Sequence, residues 1–117
     1  MNGVRILLVD DEAQVVDLLK RYLERLGYQV DACLHPDQAL ELFTADPSAY
    51  ALVLTDLTLP GMKGDQMIAK MREQEPKLRA IVASGYPYQP QGKRTGFLQK
   101  PFLPKMLAEL IEKMLKV

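Results

Sequence analysis

Residues 51–56 read ALVLTD, an apolar run closed by a carboxylate. A strand with one solvated face alternates apolar and polar side chains. An unbroken run of this length instead suits a strand buried on both faces, as in a parallel sheet covered by helices. Working outward, VRILLV at 4–9 has the same character and also ends on acid, here Asp10 and Asp11. Arg79 to Ala83 holds the run Ala80-Ile81-Val82, Tyr28 to Ala32 reads as a further strand, and Thr95 to Gln99 as a shorter fifth. Between these runs the apolar residues fall at helical spacing. Val15, Leu18, Leu19, Tyr22, Leu23 and Leu26 recur in this way from Glu12 to Leu26, and Gly27 stands where a helix ends. Pro36 to Phe43 starts with the proline favoured in a first turn. Asp65 to Glu73 carries Met67, Ile68 and Met71, and Pro104 opens a last helix with Leu107, Leu110, Ile111 and Met114.

Strands alternating with helices through short links predict an α/β fold, a doubly wound parallel sheet of five strands. The chain of 117 residues is expected to form one domain, 1–117, without an output domain. Fifteen Lys and Arg balance fifteen Asp and Glu, so no overall field draws the protein to nucleic acid or to a membrane. The single Cys33 excludes an internal disulfide and a Cys-based zinc site. The start MNGVRILLVDDE is too short in apolar run for a signal peptide, and a cytoplasmic address is expected.

In such a doubly wound sheet, with the first, third and fourth strands adjacent at the centre, ligands bind beyond the carboxyl ends of the strands. Standing there are Asp10 and Asp11 after the first strand, Asp56 at the end of the third, Ser84 after the fourth and Lys100 after the fifth. Carboxylates about 5 Å apart at an effective dielectric near 20 repel by about 3 kcal/mol per pair. A hard divalent cation relieves this, and Mg²⁺ suits an open crevice with few carboxylates. With Lys100 and the Ser84 hydroxyl beside it, the set fits phosphoryl transfer to an aspartate. The residues alone leave open which aspartate attacks.

LLVDDE, LVLTDLTLPGMKG, VASG and FLQKPF, in that order, resemble the receiver domain of two-component response regulators over nearly the whole chain. The resemblance implies a flavodoxin-like sheet of strand order 2-1-3-4-5 with Asp56 as phosphoacceptor. It implies Mg²⁺, with Mn²⁺ as a substitute, held by Asp10, Asp11, Asp56 and the Thr58 backbone carbonyl. It makes Lys100 the phosphate-binding lysine, Ser84 and Phe97 the switch pair, and the bond before Pro101 cis. The partners implied are a histidine kinase or phosphotransfer protein and an output partner that the sequence does not identify. Such a domain is a regulatory module rather than a conventional enzyme. SGY and FLQKPF are similar to receivers attached to hybrid sensor histidine kinases, so a stand-alone protein and a piece of such a kinase both fit.

One segment departs from the family pattern. Fifteen residues separate Ser84 from Lys100, roughly half a dozen fewer than receivers carry. Pro87, Pro90 and Gly92 oppose a helix there, so the helix between the fourth and fifth strands is expected to be shortened or absent. The dimer that many receivers make through this face is then not expected.

Each site residue also has a plainer reading. Asp11 could cap the first helix with Gln14 as capping-box partner, Asp56 could be a turn residue, Lys100 a solvated lysine and Phe97 core. His35 is expected to be exposed and without a role. Three rival functions fit the same residues less well. A haloacid-dehalogenase-type Mg²⁺ phosphatase wants a second aspartate where Thr58 stands. A flavin module wants a phosphate loop where Asp10-Asp11-Glu12 would repel it. A phosphorylation-independent scaffold would lack one of the five site residues, and all five are present.

Overall fold

The computed structural model describes residues 3–90 and 92–117. Five strands are β1 (Arg5–Val9), β2 (Gln29–Cys33), β3 (Leu52–Asp56), β4 (Arg79–Ser84) and β5 (Thr95–Gln99). Four helices are α1 (Ala13–Arg25), α2 (Pro36–Ala45), α3 (Gly64–Gln74) and α4 (Pro104–Met114). All neighbouring strands are parallel, in the order β2-β1-β3-β4-β5. Every strand-to-strand link carries a helix except β4 to β5, where no helix forms among the described residues. The shortened span and its prolines account for this.

The apolar runs are explained by what lies on each face. Ile6, Leu8, Leu52, Leu54 and Ile81 point to one side and pack with Leu19 and Leu23 of α1 and Leu107 and Ile111 of α4. Leu7, Val9 and Val53 point to the other and pack with Ala39 and Phe43 of α2 and Met67 and Met71 of α3. Because side chains alternate between faces, both sets must be apolar. Where the sheet lacks its helix, a smaller cluster of Ile68, Ala80 and Val82 is covered by Leu57 and Tyr88.

Boundaries differ from the sequence reading by one or two residues, and one stripe is corrected. In α1, Val16 is buried, whereas Leu18 and Leu26 are 61% and 45% exposed. Gly27, with φ of +99°, closes α1 as expected. Its N–H donates to Glu24 O, and the Tyr28 N–H donates to Leu23 O, which turns the chain into β2. His35 is exposed at the start of α2. Among the described residues, no helix is long and apolar enough to cross a membrane.

Candidate functional site

Strand register brings the site residues to one edge. Val9 lies opposite Thr55, Asp56 opposite Ala83, and Ser84 opposite Gln99. Asp10, Asp56, Ser84 and Lys100 therefore emerge together where the three strands of the sheet centre and β5 end. Asp10, Asp11 and Asp56 each bring a carboxylate oxygen within 4.8 Å of the others. Asp10 is buried, Asp56 half-buried and Asp11 exposed. Lys100 Nζ bridges two of them, 3.3 Å from Asp10 Oδ2 and 3.4 Å from Asp56 Oδ1. An all-oxygen donor set open on one side fits a hard divalent cation that keeps part of its water shell.

Asp10 is held from both sides. Its Oδ1 accepts the Glu12 N–H at 3.0 Å while Oδ2 faces Lys100. This corrects the plainer reading of Asp11. Glu12, not Asp11, occupies the cap position of α1, no side chain caps it there, and the carboxylate that reaches the chain before the helix is that of Asp10. Asp11 is left with its carboxylate in solvent beside the other two.

Asp56 is fixed through its backbone. The Leu57 N–H donates to Ala83 O at 2.8 Å, and the Gly64 N–H donates to Leu57 O at 2.7 Å. The start of α3 is thus pressed against the end of β3. A β-carbon at Gly64 would run into the Asp56 carbonyl oxygen and the Thr55 side chain. Thr58 lies exposed in the same tight link. The Lys100 N–H donates to Ser84 O at 2.8 Å, which ties the lysine to the end of β4. The Lys100–Pro101 bond is cis.

Burial raises the Asp56 carboxyl above the ordinary value; Lys100 opposes the rise, and Asp10 and Asp11 reinforce it. Burial alone would depress Lys100, but Asp10 and Asp56 outweigh it and leave the ammonium raised. Crowded carboxylates push both groups upward, but burial is the larger cause for Asp56 and opposes the rise of Lys100.

Ser84 is 2% exposed, and its Oγ accepts the Tyr86 N–H at 3.0 Å. Phe97 is half-buried on β5 opposite Val82, two positions below Ser84 on the same face. Its ring centroid lies 6.2 Å from that of Tyr88. The contacts of three residues escaped the sequence reading. Tyr88 stands in the stretch expected to be a short turn or an extended proline-rich strap. Asp65 and Arg72 looked like a first-turn acid and a last-turn base of α3. Arg72 instead donates to Leu78 O, Arg94 O and Thr95 Oγ1, stitching α3 to the start of β5. The seven-residue spacing of Asp65 and Arg72, which puts both on one face, was the available signal.

A family model described as "Response regulator receiver domain" matches residues 6–112. The chain belongs to the receiver family. Its relatives include the transcriptional regulatory protein ResD of Bacillus subtilis, 31% identical over 98% of this chain and 49% of ResD. PgtA of Salmonella typhimurium, a phosphoglycerate transport system transcriptional regulatory protein, is 33% identical over 95% of this chain and 28% of its own length. This receiver thus spans about half, or less, of the curated relatives it matches. Among solved structures, the receiver domain from the hybrid histidine kinase CckA is 30% identical with a TM-score of 0.85, covering 95% of this chain and 98% of that one. The response regulator TrrA of Thermotoga maritima, in complex with Mg(2+)-BeF, is 28% identical with a TM-score of 0.83, over 95% and 98% of the two chains. The receiver fold agrees with these relatives.

Proposed function

We propose that this receiver is a Mg²⁺-dependent phosphorylation switch and that Asp56 is its phosphoacceptor. The observation that carries this reading is Lys100 Nζ held between Asp10 and Asp56 in a crevice of three carboxylates. A histidine kinase or a phosphotransfer protein is the donor. An Asp56 carboxylate oxygen attacks the phosphorus of a phosphohistidine, and the P–N bond breaks. The electron pair returns to the imidazole, which takes up a proton, and Asp56 becomes an acyl phosphate. Asp10, Asp11, Asp56 and the Thr58 carbonyl would hold Mg²⁺, or Mn²⁺ in its place, which would supply positive charge beside the transferring phosphoryl oxygens. Lys100 neutralises another of those oxygens, and the Ser84 hydroxyl donates to a third. Water attack on phosphorus later restores the carboxylate and releases inorganic phosphate.

Ser84 and Phe97 report the event to the rest of the molecule, in the cytoplasm and to an output protein rather than to nucleic acid or a membrane. Intact mass after incubation with acetyl phosphate tests the reading. The wild type gains a single phosphoryl group in Mg²⁺ or Mn²⁺ and none in EDTA, and Asp56→Asn gains none. A folded wild type that neither gains mass nor binds beryllofluoride in Mg²⁺ is a scaffold instead.

A further inference from the structure

The β4-to-β5 link offers a device that the site itself does not require. Residues 85–90 form an irregular strap, bent at Gly85 and Tyr86, in the link between β4 and β5 that carries no helix among the described residues. Among the described residues, no backbone–backbone hydrogen bond ties this strap down. Its tethers are side-chain contacts. The Tyr86 N–H donates to Ser84 Oγ at 3.0 Å, and Gln99 Nε2 donates to Gly85 O at 3.3 Å. The Tyr88 hydroxyl makes a long contact of 3.5 Å to Asp65 Oδ2, and the Tyr88 ring lies tilted against Phe97. Beneath Tyr88 are Ile68, Ala80 and Val82. Beside it is a crevice of about 340 Å³ lined by Asp65, Arg72 and Thr95. The other Asp65 oxygen, Oδ1, is buried there with no hydrogen-bond partner. The latch on Asp65 is therefore half made, which is a poor way to hold a segment permanently and a good way to hold one that must let go.

We propose that residues 85–90 are a strap latched by Tyr88, and that drawing Ser84 toward a phosphorylated Asp56 releases it and uncovers the Ile68, Ala80 and Val82 patch. This rests on the proposed role of Asp56. One oxygen serves two purposes: Ser84 Oγ anchors the strap through the Tyr86 N–H, and its hydroxyl is the group that would reach the phosphoryl. Moving that oxygen toward Asp56 stretches the bond to Tyr86. With that anchor weakened, Tyr88 depends on its ring contacts and one long hydroxyl contact. Linkage then requires the converse: whatever loosens the strap favours the phosphorylated form by the same factor.

Labelling the tyrosines with 3-fluorotyrosine gives a readout, with the Tyr88 resonance assigned by Tyr88→Phe. On adding Mg²⁺ and beryllofluoride, the Tyr88 resonance moves to the position of a solvent-exposed tyrosine while that of buried Tyr50 stays. Tyr88→Ala, and more mildly Tyr88→Leu, tightens beryllofluoride binding about five- to tenfold. Ser84→Ala, with no phosphoryl mimic present, shifts Tyr88 in the same direction because the Tyr86 anchor is gone. A Tyr88 resonance that stays put when beryllofluoride binds overturns the proposal, as does a Tyr88→Ala variant that binds no more tightly. The Ser84→Ala arm needs no phosphoryl chemistry. If it moves Tyr88 while wild type fails to bind beryllofluoride, the reading of Asp56 has failed and the coupling of Ser84 to the strap has not; if it leaves Tyr88 in place, the coupling has failed.

Discussion

Two links leave the same edge of the sheet. LTLPGMK, residues 57–63, joins β3 to α3, and GYPYQPQGKR, residues 85–94, joins β4 to β5. Both contain proline and glycine, and both begin directly after a site residue. They are held in opposite ways. The first is bound by backbone contacts at each end, Leu57 to Ala83 and Gly64 back to Leu57, and Gln66 Oε1 accepts the Lys63 N–H where α3 begins. The second is held by side chains through residue 90, and Gln91 lies outside the described residues. The difference teaches where this fold requires precision. The carboxylate that would receive a phosphoryl group must keep its distance to Lys100, so its flanks are rigid. The segment that would report the event must change, so its flanks are loose.

Breaking the rigid link should have the largest effect. In Gly64→Ala the new β-carbon meets the Asp56 carbonyl and Thr55, neither of which can yield without moving β3. The expected loss is about 3 kcal/mol, read as a fall in Tm of more than about 10 °C. Phosphoryl gain from acetyl phosphate should fall with it even at a temperature where the variant is folded. Next comes the far end of the loose link, which Arg72 secures. Arg72→Leu removes the donors to Leu78 O, Arg94 O and Thr95 Oγ1 and should cost about 2 kcal/mol by urea unfolding. The Ala80 N–H also donates to Arg94 O at 2.8 Å, and a nearly silent variant would mean that this backbone bond holds the end of the link without Arg72.

The same two links show what was legible in the sequence. The parallel sheet and the convergence of Asp10, Asp11, Asp56 and Lys100 followed from apolar runs ending in charged residues, because a doubly wound topology leaves strand ends only one place to go. The full strand order followed from the family resemblance. The absence of a helix after Ser84 followed from Pro87, Pro90 and a short span. Which carboxylate would reach the chain ahead of α1 did not follow. Asp11 stands at the usual distance from the helix, and only the geometry of the turn after β1 gives the bond to Asp10. What Arg72 and Tyr88 touch was illegible for a related reason. Their partners are backbone carbonyls, a ring and an apolar patch brought together by the tertiary fold, and no local spacing encodes them.

A smaller effect, opposite in sign, separates rigidity from charge within the tight site. Burial lifts the Asp56 carboxyl, so the folded state favours its neutral form. Stability tied to that proton is present at low pH and is lost as pH rises through the raised value. Asp56→Asn should therefore melt a few degrees above the wild type at pH 7 without Mg²⁺. The gap should close as pH falls below the ordinary aspartate range. Adding Mg²⁺ should narrow it from the other side, by stabilising the wild type more than the variant. Scanning calorimetry over pH 3–8 with and without Mg²⁺ checks both limbs. A wild type more stable than Asp56→Asn at pH 7 without Mg²⁺ would mean that the bond to Lys100 outweighs desolvation and repulsion together.

The smallest effect is the sharpest test of the contrast, because it repeats the first substitution in the second link. Gly85 follows Ser84 as Leu57 follows Asp56, yet a β-carbon there meets nothing within 4 Å, and its φ is not positive. Alanine removes conformational freedom from the unfolded chain at such a position without straining the folded one, so Gly85→Ala should be neutral or stabilise by up to about 1 kcal/mol. The same change, glycine to alanine, thus differs by about 3–4 kcal/mol between the two links. Urea unfolding of both variants side by side measures that difference directly. Should Gly85→Ala cost as much as Gly64→Ala, residues 85–90 are packed as tightly as the β3–α3 link, and a loosely tethered strap is the wrong description of them.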